Sequence, residues 1–265
     1  MSTITNIAEC VALATQLKRE WFPHGPTWGP WFRGHRDIAW KLTPKLYRVK
    51  APKRGIRIIE DEIRQEFIMR GPGLADTGPL TSWEWYFTMQ HFGAPTRLLD
   101  WTEGALIALY FAVRDNVGDT DSAIWILDPW WLNLHVLKER EVIPPGAVIG
   151  ISTPDADRYK PWLPDRYSKD ELPKPCVAIY PTHSERRIST QRSCFTIHGS
   201  DEAALESLTG ESDAHIAKVT IPRAEILSIR EQLAVAGVDE ITIFPDLDGL
   251  GRYLNAVLES EADAI

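Results

Sequence analysis

Apolar residues recur every three or four positions in three segments of the chain, and this spacing is typical of amphipathic helices. The helices that it predicts cover residues 7–19, 57–69 and 223–236, and DGLGRYLNAVLES (248–260) is predicted to close the chain as a fourth. Thr5 or Asn6 can cap the first helix, because both side chains accept a hydrogen bond from a backbone N–H at a helix start.

Two further helices are predicted around a polar segment in the first half of the chain. Ser82 is a good N-cap for a helix that continues to about Phe92. Thr102 or Glu103 can open the next helix, which continues to Arg114. This second helix is apolar on all sides, so we expect it to lie buried rather than on a surface.

Short runs of β-branched and aromatic residues predict the strands. One is WFRG (31–34), and the others are SAIWILDP, CVAIYP, SCFTIHG, HIAKVTIP and DEITIFP, which start at residues 122, 176, 193, 215 and 239. KLTPKLYR (41–48) is predicted to be an extended connector, because a proline disfavours helix at the residue before it. The Pro-rich interval 129–175 is predicted to be a long covering loop.

The order of these elements predicts an α+β protein. Helices dominate the first half of the chain and strands dominate the second half. We therefore expect a helical first half packed on a mixed or antiparallel sheet from the second half. Of the 265 residues 44% are hydrophobic, which is enough for a genuine core, and we predict one domain over residues 1–265.

The chain is acidic, with a formal net charge of -8 at pH 7. This charge argues against sequence-independent attraction to nucleic acid, which normally requires a basic face. Basic residues do cluster in the segments 41–57 and 186–192. Each cluster is either a local basic groove or an ordinary solvated face.

Three cysteines lie at scattered positions, an odd number without the paired spacing of a zinc knuckle. They indicate reduced thiols in the cytosol. No stretch reaches the length that spans a membrane, and acidic and polar residues interrupt the N-terminal segment where a signal peptide would be apolar. We therefore predict a cytoplasmic chain without a membrane partner.

Polar residues are concentrated between positions 90 and 102, immediately before the apolar helix. They are Gln90, His91, Arg97, Asp100 and Thr102. Polar groups held against a core need partners, so these residues either bind one another or converge on a ligand. No metal-ligand series, phosphate-binding glycine loop or Ser-His-Asp signature accompanies them, and we predict no metal site.

Two motifs in this part of the chain resemble the FRG domain, a family named for its Phe-Arg-Gly motif. The first is WFRG followed by W-x-L-x-P-x-L-Y-R over 40–48, and the second is QHFGAPTRLLDWT with its following ALYFA run. These core motifs lie within residues 28–115. ISTQRSCFTIHG (188–199) and FPDLDGL (244–250) are similar to downstream FRG patterns, which extends the resemblance over the strand-rich part at 176–262.

The chain also resembles, more weakly, the ADP-ribosyltransferase-like superfamily, and this resemblance implies a use for the candidate residues. NAD would be the substrate, with Arg33 holding its phosphates. Catalytic roles are implied for Arg33, His91, Glu240 and Gln191, and NAD-binding roles for Phe32, Arg33, Gly34, Arg97, Asp100, Thr102 and Tyr110. The Ser-Thr-Ser string and the Glu-x-Glu or Gln-x-Glu pair of that superfamily are absent, so Glu240 or Gln191 would replace them.

Structural roles are open for several of these residues. Arg33 can pair with Asp100 or Asp37, Asp100 can orient His91 or pair with Arg97, and Thr102 can cap a helix. His198 is equally well explained as a core histidine. A Cys194–His198 nucleophile pair is disfavoured, because residues four apart on one strand are separated by roughly 13 Å.

The resemblance favours an enzyme that transfers ADP-ribose from NAD to a nucleic acid or protein acceptor. The FRG resemblance also implies a role in a bacterial toxin–antitoxin or phage-defence system. An antitoxin protein would then be a further partner. A non-catalytic FRG module that binds nucleic acid or a partner protein is the first alternative. A metal-dependent nuclease or hydrolase that uses His91, Asp100 and Glu240 is the second.

Overall fold

The computed structural model describes residues 2–23, 29–49, 54–74, 80–116, 120–138, 140–142, 158–164, 171–181, 189–208 and 213–262. Its strands are β1 (Ser2–Thr3), β2 (Trp31–His35), β3 (Leu98–Thr102), β4 (Ser122–Leu127), β5 (Val177–Ile179), β6 (Ser193–Ile197) and β7 (Ile216–Ile221). They form one seven-stranded sheet in the order β1-β7-β4-β2-β3-β6-β5. The β1–β7 pair is parallel and the other neighbours are antiparallel, so the sheet is mixed.

The helices of the described residues are α1 (Ile7–Trp21), α2 (Ile56–Arg70), α3 (Ser82–His91), α4 (Ala105–Val113), α5 (Pro129–Leu137), α6 (Ala204–Ser207), α7 (Ile226–Val235), α8 (Glu240–Ile243) and α9 (Leu247–Ala262). None of them combines the length and the apolar composition that crossing a membrane requires.

The predicted α+β class with a mixed sheet is confirmed. The sheet takes β1 to β4 from the first half of the chain, so helical and strand-forming segments alternate more than the sequence indicates. Two strands, β1 and β3, are not among the predicted ones, and β3 lies inside the polar segment at 90–102. The residues of β3 do not alternate between buried and exposed, since four of the five are buried and Asp100 is exposed.

Helix α4 lies at the centre of the molecule and packs directly on β2. A Cβ atom at Gly34 would lie 2.1 Å from the carbonyl oxygen of Ala108 and 2.5 Å from the amide nitrogen of Ala112. Only glycine allows this approach of strand to helix. Helices α1, α7 and α8 complete the apolar cluster on this face of the sheet. The prediction that the apolar helix is buried is confirmed for five of its nine residues, namely Ala108, Leu109, Tyr110, Ala112 and Val113.

Most helix starts lie close to the predicted positions, and the caps explain the differences. Asn6 caps α1, because its side chain accepts from the backbone N–H of Glu9. Thr81, rather than Ser82, caps α3 through a reciprocal capping box with Glu84. Helix α4 starts later than predicted, since β3 continues to Thr102.

Three predicted elements are wrong. DEITIFP forms helix α8 and not a strand, because Asp239 and Thr242 make a capping box that closes a helical turn. KLTPKLYR is not fully extended, since its last four residues form a 3₁₀ turn that buries Leu46 and Tyr47. The interval 129–175 contains helix α5, which Asp128 caps at its start, although much of this interval lies outside the described residues.

The sheet is nearly divided between β2 and β3. Strand β2 aligns with β4 at five positions, and β3 aligns with β6 at five positions. Between β2 and β3 the register contains one pair, Phe32 opposite Thr102. The two strands therefore diverge beyond this point, and their divergence leaves room for a cleft beside Arg33 and Asp100.

Candidate functional site

A cleft of about 470 Å³ lies where β2 and β3 diverge. This volume is within the range of small-molecule sites. Eighteen residues line it, and they include seven of the predicted site residues: Phe32, Arg33, Gly34, His91, Asp100, Thr102 and Gln191. Residues from α3, α4 and the segment after α8 complete the walls. Side chains that are distant along the chain are thus brought together at one cavity.

Arg33 is held rigidly across the divergence of the two strands. Its Nε donates to Nε2 of His35 at 3.1 Å, and its Nη1 donates to the backbone carbonyl of Asp100 at 2.6 Å. Nη1 also lies 3.7 Å from a carboxylate oxygen of Asp100. Burial lowers the pKa of the Arg33 guanidinium, and the Asp100 carboxylate opposes that effect. No partner for Nη2 is found among the described residues.

His35 supports Arg33 from the same face of β2 and was not singled out from the sequence. Its side chain is buried, and burial together with the charge of Arg33 lowers its pKa to about 3. The ring is therefore neutral at physiological pH and accepts from Arg33 through Nε2. The i, i+2 spacing of Arg33 and His35 on a strand is the signal that identifies the pair.

We expect stability to fall as the pH is lowered from about 6.5 towards 3. Burial also lowers the pKa of His198 to about 3. Each folded-state pKa lies below the ordinary histidine value, so the unfolded chain binds more protons in this range. Each histidine should therefore contribute a slope of roughly 1.4 kcal/mol per pH unit to the free energy of unfolding.

Urea unfolding at several pH values measures this slope directly. His35→Gln retains an acceptor for Arg33 and should remove about 1.4 kcal/mol per pH unit of it. An unchanged slope in this variant would show that His35 titrates alike in the folded and unfolded states.

Asp100 presents its carboxylate to the cleft, with 56% of the side chain exposed. Gln90 Nε2 donates to one carboxylate oxygen at 2.8 Å, and the hydroxyl of Thr96 donates to Gln90 Oε1. This chain of hydrogen bonds holds the carboxylate beside Arg33. His91 lines the same cleft and contacts Phe92 edge-on. The predicted alternative of an Arg33–Asp100 pair is therefore observed.

Thr102 and Gln191 join the two sides of the cleft through backbone groups. The Thr102 hydroxyl donates to the carbonyl of Gln191 at 2.7 Å and accepts from the amide of Gly104 at 3.0 Å. Gln191 Nε2 donates to the carbonyl of Ile243 at 3.2 Å. Both side chains line the cleft, and their hydrogen bonds fix the loop before β6 against the end of β3.

Glu240 lies behind the cleft wall and not among the lining residues. Its carboxylate accepts from the hydroxyl of Tyr110 and from Nε of Arg252. Arg114, which does line the cleft, places a guanidinium nitrogen 3.5 Å from Glu240. Burial and the bond to Glu240 raise the pKa of Tyr110. Glu240 and Tyr110 therefore support Arg114 from behind, and neither side chain lines the cleft.

Arg97 belongs to the protein core, which does not fit the predicted NAD-binding role. Its side chain is 0% exposed, and its Nε donates to the Glu60 carboxylate at 2.6 Å. Its other nitrogens donate to the carbonyls of His198 and Trp162. Burial lowers the pKa of Arg97, but the interactions with Glu60, Tyr86 and Tyr47 together outweigh burial, and the pKa is raised.

The described residues contain no group of three or more His, Cys, Asp or Glu side chains that can hold a metal ion. In particular, His91 and Asp100 line the cleft while Glu240 lies behind it.

Residues 29–121 match the family model of the FRG domain. The match covers β2, α3, β3 and α4, and so includes most of the cleft. No curated protein and no solved structure gives a significant match to the chain. The FRG resemblance that the motifs indicate is confirmed, and the likeness to ADP-ribosyltransferases stays a prediction.

Proposed function

We propose that this chain, whose residues 29–121 carry the FRG domain, is an ADP-ribosyltransferase-like enzyme that uses NAD as its substrate. The observation that supports it best is the placement of Arg33. A planar guanidinium whose Nη2 has no partner among the described residues suits the diphosphate of a dinucleotide. Two partners orient the guanidinium, since Nε donates to His35 Nε2 and Nη1 donates to the backbone carbonyl of Asp100.

The remaining groups of the cleft divide into a charged part and an apolar part. Phe32, Phe111 and Phe244 supply ring surfaces on which a nicotinamide can pack. Gly34 also lines the cleft, and its missing side chain lets α4 pack directly on β2. Asp100 supplies negative charge next to Arg33, where a ribose ring with cationic character would be stabilised.

The reaction begins with loss of nicotinamide from the ribose. The bond between ribose C1′ and nicotinamide N1 breaks, and its electron pair goes to N1. An acceptor oxygen or nitrogen then forms a bond to C1′ and loses a proton to solvent. The products are ADP-ribosylated acceptor, nicotinamide and one proton, so the step needs no oxidant or reductant.

We propose Asp100 instead of Glu240 as the catalytic carboxylate. Glu240 is engaged by Tyr110, Arg252 and Arg114, and the two arginines offset its negative charge. Asp100 is exposed in the cleft beside Arg33. We therefore assign the carboxylate role to Asp100, a positioning role to Glu240, and a purely structural role to Arg97.

Asp100→Asn tests this assignment. Asparagine retains an oxygen near Arg33 and Gln90 but removes the negative charge from the cleft. We expect the rate of nicotinamide release to fall about 100-fold while NAD affinity changes little, because the charge acts mainly in the transition state. Chromatographic measurement of nicotinamide at saturating NAD, with calorimetric titration for affinity, separates the two effects.

The same change at Asp115, which is paired with Arg36 and Arg114 at the cleft rim, is the matched control. If Asp115→Asn slowed release as much as Asp100→Asn, the effect would be one of general charge and the assignment would fail.

A function in toxin–antitoxin or phage-defence systems is part of the proposal at the level of the family alone.

A further inference from the structure

The mouth of the cleft presents one exposed aromatic ring among charged side chains. Four of the lining residues are exposed to solvent, namely Arg36, Trp40, Asp100 and Asp115. Trp40 is 40% exposed, although tryptophan normally lies mostly buried. The guanidinium of Arg36 lies 4.9 Å from the centre of its ring. An arginine and an indole are therefore stacked at the entrance of the site.

This pair rests on a rigid support. The backbone carbonyl of Arg36 accepts from Asn116 Nδ2 at 2.8 Å and from Ser122 Oγ at 3.3 Å. Both of these partners are buried. His35 contacts the Trp40 ring at a centroid distance of 6.1 Å. The end of β2 is thus tied to β4, and the position of the exposed ring is fixed by the fold.

A second arginine–aromatic pair lines the same cleft. Arg114 lies 4.7 Å from the centre of the Phe244 ring and is fixed by ion pairs with Asp115 and Glu240. The cleft lining contains three arginines, Arg33, Arg36 and Arg114, against two aspartates. Its formal charge is therefore positive, whereas the whole chain has a net charge of -8.

Flat rings beside phosphates are the ligand chemistry that fits this mouth. Single-stranded nucleic acids are bound by aromatic side chains on which bases stack and by arginines that contact the backbone. The excess of arginine over aspartate in the lining favours a partner that carries phosphates over a protein acceptor. The large exposed apolar side chains, such as Leu254 on α9 and Phe92 after α3, do not line the cleft.

We propose that the cleft mouth binds a single-stranded nucleic acid, with a base stacked on Trp40 and neighbouring phosphates on Arg36 and Arg114. The inference rests on the proposed function and deepens it, because the bound strand would be the acceptor of ADP-ribose. A base nitrogen or a strand oxygen forms the bond to ribose C1′, nicotinamide leaves with the electron pair, and the acceptor proton goes to solvent.

Binding is measured by fluorescence anisotropy with labelled RNA and DNA single strands of about 12 nucleotides at low ionic strength. Trp40→Ala should weaken binding about tenfold, and Trp40→Phe should recover most of the loss because it retains a stacking ring. Arg36→Ala should weaken binding and reduce its dependence on salt.

Two control variants make the test specific. Phe92→Ala removes an aromatic side chain that is 61% exposed, and Arg54→Ala removes an exposed positive charge; neither residue lines the cleft. Both should bind the strands as the unmodified chain does. Equal weakening by Trp40→Ala and Phe92→Ala would overturn the proposal, as would an absence of binding to both strands at low salt.

Labelled NAD distinguishes a failure of this inference from a failure of the proposed function. Incubation of the unmodified chain with NAD and the oligonucleotides should transfer label to the strand. If NAD is bound or cleaved and label appears only on protein or as free ADP-ribose, the nucleic-acid inference fails and the enzyme proposal stands. If NAD is neither bound nor cleaved, the proposed function itself fails.

Discussion

Replacing Arg33 with alanine is expected to lower kcat/KM for nicotinamide release by about 100-fold to 1000-fold. The Arg33 side chain donates to His35 and to the carbonyl of Asp100, and these bonds hold its guanidinium in one orientation. Little further conformational entropy is therefore lost when a ligand binds. The variant removes the best-placed positive charge in the cleft. The rate of nicotinamide release over a range of NAD concentrations measures the loss.

Arg33→Lys separates charge from geometry. Lysine retains the positive charge but cannot contact His35 Nε2 and the Asp100 carbonyl with a planar fork, so we expect a loss of at least about tenfold. Circular dichroism should show that both variants stay folded, because Arg33 is partly exposed and contributes little apolar surface. An alanine variant with undiminished kcat/KM would mean that Arg33 does not hold the substrate.

Removing the charge of Glu60 is expected to destabilise the fold by about 3–5 kcal/mol. Glu60 and Arg97 are both 0% exposed and are joined by an ion pair of 2.6 Å. The hydroxyl of Tyr86 donates to Glu60 and accepts from the amide of Arg97. Glu60→Gln leaves the Arg97 charge buried without a counter-charge. Thermal and urea unfolding of the purified variant measures the change.

Glu62→Gln is the matched control, since this residue lies on the same helix and pairs with Arg54 at the surface. Its cost should be at most about 1 kcal/mol. The Glu60→Met and Arg97→Met single variants each leave one buried charge without its partner. The double variant leaves neither charge, so it should lose less stability than the sum of the two single variants. A small effect of Glu60→Gln would show that Arg97 finds compensation elsewhere.

Much of the cleft follows from features that are local in the sequence. The aromatic residues of WFRG predict a strand, and the structure places them in β2 with Gly34 packed against the backbone of α4. His91, Asp100 and Gln191 were selected as polar residues in motifs, and all three line the cleft with Arg33. Polar residues next to a buried helix either pair with one another or bind a ligand. Asp100 pairs with Arg33, and its carboxylate is still exposed enough to contact a ligand.

The roles that sequence reasoning missed depend on long-range pairing. Arg97 and Asp100 are three residues apart on or next to β3, yet one meets Glu60 in the core and the other faces the cleft. The local sequence around Glu60 does not indicate its burial, because its partner Arg97 lies 37 residues away along the chain. Arg36 and Trp40 lie at the cleft because β2 ends just before them, and the end of β2 is set by its pairing with β4.

Calorimetric titration of the purified chain with NAD shows whether the cleft binds this dinucleotide through Arg33. We expect saturable binding of one NAD per chain that Arg33→Ala weakens about 100-fold and Arg54→Ala leaves unchanged. No heat of binding at millimolar NAD, or equal affinity in the Arg33→Ala variant, would contradict it.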